Sequence, residues 1–254
     1  MRRFAVLLGV ATLALAATGC NKLKARDHLN KGVQAYKFAQ FNTAIEHFRQ
    51  AIELDPFLIN ARLYLATAYA TQYIPGAPSP ENTKVGEQAI AEFKKVLEMD
   101  PSNIGSIKGI GGLYFNMNQM QDAKEWQRKL TVLEPNDSEP YYYIGVIDWT
   151  LSFKPRNELR NKLKLARPED PIPVKPRLEL AKSNGPVVEE GIEALKKAIE
   201  IKPDYIDALA YLNLLYREKA DLVEGAERAG LTSQAEAIVE KIKEIRGGKE
   251  GAAQ

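Results

Sequence analysis

Few side chains of this 254-residue chain are of the types that carry reactive chemistry. Cys20 is the one cysteine, and His28 and His47 are the two histidines. A zinc or iron site normally takes three or four His, Cys or carboxylate ligands. We therefore expect no His-based metal site and no cofactor, and a single cysteine excludes an internal disulfide.

Glycines and acids are the other candidates for chemistry. Gly105, Gly109, Gly111 and Gly112 lie close together, but the chain lacks the spacing of a phosphate-binding loop and a Gly-Lys-Ser/Thr motif. It also lacks the G-x-S-x-G motif of serine hydrolases. Paired acids such as Glu189 and Glu190 are common on helix faces. We predict a protein that is not an enzyme; a carboxylate hydrolase is the alternative, and it requires a polar pocket with an acid of raised pKa.

The first twenty residues have the pattern of an export signal. Arg2 and Arg3 precede an uncharged apolar run of 14 residues, from position 4 to 17. This run is shorter than the roughly 20 residues of a transmembrane helix and is typical of a signal-peptide core. Small residues then lead to Cys20.

This ending resembles the lipobox of bacterial lipoproteins. The resemblance implies that residues 1–19 are a cleaved lipoprotein signal peptide, that Cys20 is acylated, and that residues 20–25 are a lipidated tether. Asn21 stands where some bacteria use Asp to retain lipoproteins at the inner membrane. We expect a lipid-anchored envelope protein at the periplasmic face of the outer membrane. An ordinary secreted protein and an uncleaved anchor are the alternatives.

The charge of the mature chain is balanced. Without Arg2 and Arg3, the 35 basic residues become 33, which equals the number of acidic residues. The mature chain therefore lacks the excess of positive charge that is typical of nucleic-acid-binding proteins, and we expect no nucleic-acid partner. Residues 154–182 are locally basic, so they could contact anionic lipid or an acidic partner, although a solvated helix face also explains them.

A short sequence pattern recurs along the chain after the apolar run. Amphipathic helical stretches end at Pro56, Pro101, Pro135 and Pro203, which are 45, 34 and 68 residues apart. A spacing of 34 residues is a known repeat period, and 68 is twice that value. Apolar positions at helical spacing, as in Ala44-x₃-Phe48, predict helices rather than strands.

These residues resemble the tetratricopeptide repeat (TPR). The resemblance implies an all-α, right-handed superhelical TPR solenoid of about five helix pairs over residues 26–246, followed by a flexible tail at 247–254. Two insertions interrupt the period. A proline-rich loop at about 72–83 is either an interaction surface or a tolerated insertion. A basic segment at about 153–186 is either an insertion or a degraded repeat.

A TPR solenoid offers a concave face lined by the first helix of each pair. Aromatic and arginine side chains on this face would anchor a protein or peptide partner. The residues that we assign to it are Tyr36, Lys37, Lys108, Phe115, Asn116, Tyr142, Trp149 and Arg217. For Tyr142 and Trp149, packing against the basic segment explains the sequence equally well.

The predicted function is therefore a membrane-anchored, non-enzymatic TPR scaffold of the bacterial cell envelope. It would bind protein or peptide partners, for example during assembly of an outer-membrane or pilus/secretion complex. The alternative is a soluble periplasmic or peptidoglycan-associated TPR protein without a lipid anchor.

Overall fold

The computed structural model describes the backbone of residues 2–167 and 169–251 and the side chains of residues 20–167 and 169–247. Over this range the chain forms ten α-helices and no strand, which confirms the all-α prediction. The predicted signal peptide, residues 1–19, has its side chains outside the described range. The helices are α1 (Arg2–Lys37), α2 (Phe41–Leu54), α3 (Ile59–Gln72), α4 (Pro80–Met99), α5 (Ile104–Asn116), α6 (Met120–Leu133), α7 (Ser138–Lys162), α8 (Val174–Ile201), α9 (Ile206–Ala220) and α10 (Gly225–Gly251).

The helices group into two compact units, Met1–Gln119 and Met120–Gln254. In the first unit α1 packs on α2, α3 packs on α4, and α5 contacts both α3 and α4. In the second unit α6 packs on α7, α7 on α8, and α9 on α10, while α9 also contacts α7 and α8. No helix within the described residues is long and apolar enough to cross a membrane.

Four turns with one hydrogen-bond pattern separate the successive helix pairs. In the first, the amide of Asp55 donates to the carbonyl of Ala51 at 2.9 Å, and the amide of Leu58 donates to the carbonyl of Asp55 at 3.0 Å. The same two bonds recur at Asp100, Glu134 and Lys202. Each of these residues precedes a proline, which disfavours the helical backbone at the position before it. The recurring turn confirms the repeat that the proline spacing predicts.

Small residues allow neighbouring helices, both within a pair and between successive pairs, to approach closely. A Cβ atom built on Gly109 would lie 2.6 Å from two ring carbons of Phe93, and one built on Gly32 would lie 2.5 Å from Phe48. Both phenylalanines are buried. A side chain at either glycine would displace a large apolar residue, so these positions set the spacing between helices.

The loop between α3 and α4 is ordered by local hydrogen bonds. The side chain of Asn82 donates to the carbonyl of Ile74 and accepts from its amide, each at 2.8 Å. Ser79 caps α4 by accepting from the Asn82 amide at 3.1 Å, and Pro80 occupies the first turn of the helix. Helix α4 thus begins inside the segment 72–83, and the irregular part is limited to residues 73–79.

The basic segment 153–186 lengthens both helices of one pair. Residues 153–162 complete the 25-residue α7, and residues 174–186 begin the 28-residue α8. Pro155 and Pro186 lie inside these helices. The segment therefore supplies the end of α7, the start of α8 and the connection between them.

The last helix is longer than the sequence pattern indicates. Helix α10 continues to Gly251 and so includes residues 247–251 of the predicted flexible tail. The rest of that tail, residues 252–254, lies outside the described part of the chain.

Candidate binding surface

Six aromatic side chains gather where α7 meets α9 in the second unit. Helices α7 and α9 are the first helices of successive pairs and contact each other directly. We call this group of rings the aromatic cluster, and it consists of Tyr142, Tyr143, Trp149, Phe153, Tyr205 and Tyr211.

Tyr211 joins the two predicted residues of the aromatic cluster. Its ring centroid lies 5.8 Å from that of Tyr142 and 5.5 Å from that of Trp149, and both pairs are edge-to-face. Phe153 follows one helical turn later, 5.0 Å from Trp149, with 37% of its surface exposed. Such ring pairs contribute about 0.5–1.5 kcal/mol beyond the burial of their area. The cluster is therefore a rigid, partly exposed apolar surface.

Burial changes the acidity of the tyrosines in the aromatic cluster. Desolvation raises the pKa of Tyr205 to about 12, with further contributions from the negative charges of Glu139 and Asp207. Desolvation also raises the pKa values of Tyr142 and Tyr143. All three phenols are therefore protonated at physiological pH.

The opposite side of α7 carries a buried ion network. Lys124 of α6 donates to Asp148 Oδ1 at 2.7 Å and to Glu190 Oε2 of α8 at 3.0 Å. Arg128 donates to Glu190 Oε1 through Nε at 2.9 Å. Asp148 precedes Trp149 in the chain, so this network fixes the orientation of the helix that presents the aromatic cluster.

Asp148 and Glu190 respond differently to their shared cations. Desolvation raises the pKa of Asp148 to about 6 despite the hydrogen bond from Lys124. The residue is fully buried, and its second oxygen, Oδ2, has no hydrogen-bond partner within the described part of the chain. Desolvation also acts on Glu190, but hydrogen bonds from Arg128 and Lys124 outweigh it and lower the pKa of Glu190.

The arginines of the basic segment 153–186 form ion pairs with acids of α9 and of the turn after it. Arg156 donates to Glu218 Oε1 at 3.0 Å and to Asp221 Oδ2 at 2.8 Å. Arg160 donates to the same Asp221 oxygen at 2.9 Å, and Arg177 pairs with Glu224. Much of the local positive charge is thus neutralised inside the unit. The lysines of this segment, such as Lys162 and Lys175, are exposed.

Five of the sequence-predicted partner-binding residues lie in the first unit. The hydroxyl of Tyr36 is 2.9 Å from Thr71 Oγ1, and Lys37 is the exposed last residue of α1. Lys108 and Phe115 are half-buried on α5, and the carbonyl of Asn116 accepts from the Tyr73 hydroxyl at 3.3 Å.

Arg217 is separate from the aromatic cluster. Its Nε donates to Asn213 at 3.2 Å, and its side chain lines a cavity of about 300 Å³ with Arg156, Asp221 and Arg228. Sequence reasoning missed the other four rings of the aromatic cluster, which are Tyr143, Phe153, Tyr205 and Tyr211. Tyr205 directly precedes α9 and Tyr211 lies within it, and periodicity alone does not show that they meet α7.

Cys20 and the two histidines lie near the start of the described side chains. The thiol of Cys20 is exposed and free. His28 Nδ1 and His47 Nδ1 are 3.3 Å apart across α1 and α2. Over the described residues, no group of three or more His, Cys, Asp or Glu side chains converges as metal ligands would.

Comparison with known proteins gives one short sequence match. No protein-family profile matches the chain. "Protein CTR9 homolog" of Arabidopsis thaliana is 38% identical over 64 residues, which cover 24% of this chain and 6% of that protein. The chain therefore spans only a small part of the length of this curated relative.

Solved structures match almost the whole chain. MamA from Desulfovibrio magneticus RS-1 superposes with a TM-score of 0.59 at 17% identity, covering 89% of this chain and 96% of that chain. YrrB, described as a TPR protein with an unusual peptide-binding site, superposes with a TM-score of 0.56 at 15% identity, covering 93% and 97%. These likenesses, the paired helices and the recurring proline turns show that the chain has the tetratricopeptide-repeat fold.

Proposed function

We propose that this protein is a non-enzymatic scaffold that binds a protein or peptide partner on the aromatic cluster of α7 and α9. The single observation that supports this most is the joining of Trp149 and Tyr142 through Tyr211, beside the partly exposed ring of Phe153. Aromatic side chains with few rotatable bonds are enriched at binding hot spots. The peptide-binding site named for the structurally similar YrrB is consistent with this proposal.

The proposed role is binding because the most perturbed acids are engaged in structural ion networks. Asp148 is fully buried against Lys124, and Glu218, which is 3% exposed, is paired with Arg156. A general acid or base must reach a substrate within hydrogen-bond distance. Neither side chain has the exposure that such contact requires.

Crosslinking in intact cells tests the proposed surface. A photoreactive phenylalanine analogue at Phe153 would contact a bound partner while disturbing the packing of the aromatic cluster little. The matched control is the same analogue at Phe57, which is 83% exposed in the other unit. We expect one protein to be captured at Phe153 and not at Phe57. Capture at neither position, or of the same proteins at both, would contradict the proposal.

We also propose that acylated Cys20 tethers the scaffold to the bacterial envelope, with the periplasmic face of the outer membrane favoured. The support is the apolar run before Cys20, the small residues that precede it, and the exposure of its thiol. Two or three acyl chains hold a protein stably at a membrane, since each buried CH₂ contributes about 0.8 kcal/mol.

Mass spectrometry of the mature N-terminus tests this tether. We expect a first residue at Cys20 that carries the mass of two or three acyl chains. An unmodified Cys20, or cleavage at another site, would contradict the tether and favour a soluble periplasmic protein.

A further inference from the structure

A cavity of about 320 Å³ with both charged and apolar lining residues lies among α2, α3 and α4 of the first unit. It is remote in sequence from the aromatic cluster, and the proposed scaffold function does not use it. Its charged and polar lining residues are Arg49, Arg62, Tyr69, Gln88, Glu92 and Lys95. Three cations therefore face one acid, which leaves an excess of two positive charges.

Glu92 is shared between two of these cations. Arg62 Nη1 donates to Glu92 Oε2 at 3.0 Å, and Lys95 Nζ donates to Glu92 Oε1 at 2.7 Å. Both carboxylate oxygens are therefore engaged. Arg49 pairs with no carboxylate among the described side chains; its Nη2 donates to the hydroxyl of Tyr69 at 2.5 Å.

The cavity holds more hydrogen-bond donors than acceptors. Tyr69 accepts from Arg49, so the phenolic proton remains free to donate to a ligand. Within the described residues, Arg62 has no hydrogen bond at Nη2 and its buried Nε has no partner. The Gln88 amide adds further donors. Such a surplus is complementary to a ligand that presents only oxygen acceptors.

Partial burial strengthens these charges. The side chains of Arg62 and Glu92 are each 15% exposed, whereas Lys95 at 48% leaves the cavity open to entry. Charges interact more strongly where water is partly excluded. Two guanidinium groups also offer planar forks that match phosphate oxygens.

We propose that this cavity binds a phosphate group. A phosphate monoester carries close to two negative charges at neutral pH, which matches the excess of two positive charges in the cavity. It also presents only oxygen atoms to the donors of Arg49, Arg62 and Tyr69. The cavity can accommodate phosphate together with a small attached group, such as the head of a lipid or a soluble metabolite.

Calorimetric titration of the purified full chain with inorganic phosphate tests the proposal. The test variant is the double substitution Arg49→Gln and Lys95→Gln, which removes two exposed cations from the cavity. Arg26→Gln with Lys84→Gln removes the same charge from exposed helix positions of the same unit outside it. We expect saturable binding that weakens at least tenfold in the cavity variant and less than twofold in the control. Circular dichroism verifies that both variants are folded.

Three results would overturn the proposal. They are the absence of saturable binding at 20-fold molar excess and millimolar phosphate, equal loss in both variants, and binding of acetate as tight as that of phosphate. The last result would indicate a carboxylate site instead.

The source of the phosphate group is distinguished by vesicle sedimentation. Vesicles of phosphatidylcholine with phosphatidic acid are compared with vesicles of phosphatidylcholine alone. Sedimentation that needs phosphatidic acid and that Arg49→Gln with Lys95→Gln abolishes would support a lipid headgroup. Saturable phosphate binding without such sedimentation would support a free phosphate compound.

Discussion

At the scale of single residues, the packing of the second unit depends on one glycine of α7. A Cβ built on Gly145 would overlap the side chain of Leu195, which is fully buried in α8 and cannot move aside. Apart from the nearby backbone of its own helix, no described heavy atom lies within 4 Å of the position where a Cβ on Gly112 of α5 would lie. The two glycines therefore differ in what they do, although both lie in first helices.

Alanine at these two positions should change stability in opposite directions. Gly145→Ala should lower the free energy of unfolding by about 1–3 kcal/mol, because overpacking forces side chains and backbone to shift. Gly112→Ala should raise it by about 0.5–1 kcal/mol, because alanine lowers the entropy cost of a helix. Urea denaturation of both variants measures the difference, and a destabilised Gly112→Ala would contradict this interpretation.

Glu218 should make stability depend on pH in an unusual direction. Desolvation, together with Asp221, raises its pKa from 4.5 to about 7, despite the opposing Arg156. The folded protein then holds more protons than the unfolded chain between pH 4.5 and 7, so stability falls as the pH rises through this range. Asp148 acts in the same direction up to about pH 6.

Glu218→Gln should flatten part of this dependence. We expect the loss of unfolding free energy between pH 5 and pH 8 to shrink by on the order of 2 kcal/mol, because the glutamine does not titrate. Thermal or urea denaturation at several pH values measures this slope. Glu240→Gln, on the exposed face of α10, is the control and should leave the slope unchanged.

The candidate residues could be predicted from the sequence only as far as their own helix. Tyr142 and Trp149 are seven residues apart, so they share one face of α7. Their partner Tyr211 is contributed by another helix, and a single sequence does not record that contact. Arg217 illustrates a second limit. It lies on a first helix, as predicted, but its side chain donates to Asn213 and does not join the aromatic cluster.

At the scale of elements, the lengthened pair of α7 and α8 is held by a buried arginine. Arg160 is 6% exposed and donates to Asp221 at 2.9 Å. It also donates to the carbonyls of Arg167 and Asp170, in the connection between the two helices. One side chain thus links the end of α7 to its connection and to the turn after α9.

Removal of this arginine should loosen the connection between α7 and α8. Arg160→Gln leaves Asp221 with less compensation in a buried site, so the free energy of unfolding should fall by about 3 kcal/mol. Limited proteolysis should then cut faster within residues 163–173. Lys162→Gln, an exposed position two residues further along α7, should change neither quantity. Unaltered proteolysis in Arg160→Gln would contradict this role.

Helix boundaries at the repeat turns could be predicted because proline acts locally. The backbone before Pro56, Pro101 and Pro135 cannot easily stay helical, whatever surrounds it. Pro155 and Pro186 have the same chemistry but lie inside helices. The lengthened pair therefore could not be recognised from local sequence.

At the scale of the whole molecule, membrane attachment should depend on one atom. If the Cys20 sulfur carries the lipid, Cys20→Ser should move the protein from the membrane fraction to the soluble periplasmic fraction. The circular dichroism spectrum and the thermal midpoint should remain unchanged, because Cys20 is exposed and has no packing role. Cys20→Ser protein that stays in the membrane fraction would argue for an uncleaved anchor.

Two neighbouring residues of α7 contact different helices. Asp148 belongs to the ion network with α6 and α8, whereas Trp149 contacts α9 and belongs to the proposed binding surface. Substitutions at Lys124 or Glu190 would therefore change the affinity of the proposed aromatic surface for its partner while every ring of that surface stays the same residue. During evolution, the partner preference of such a surface would therefore change without any substitution among the residues that contact the partner.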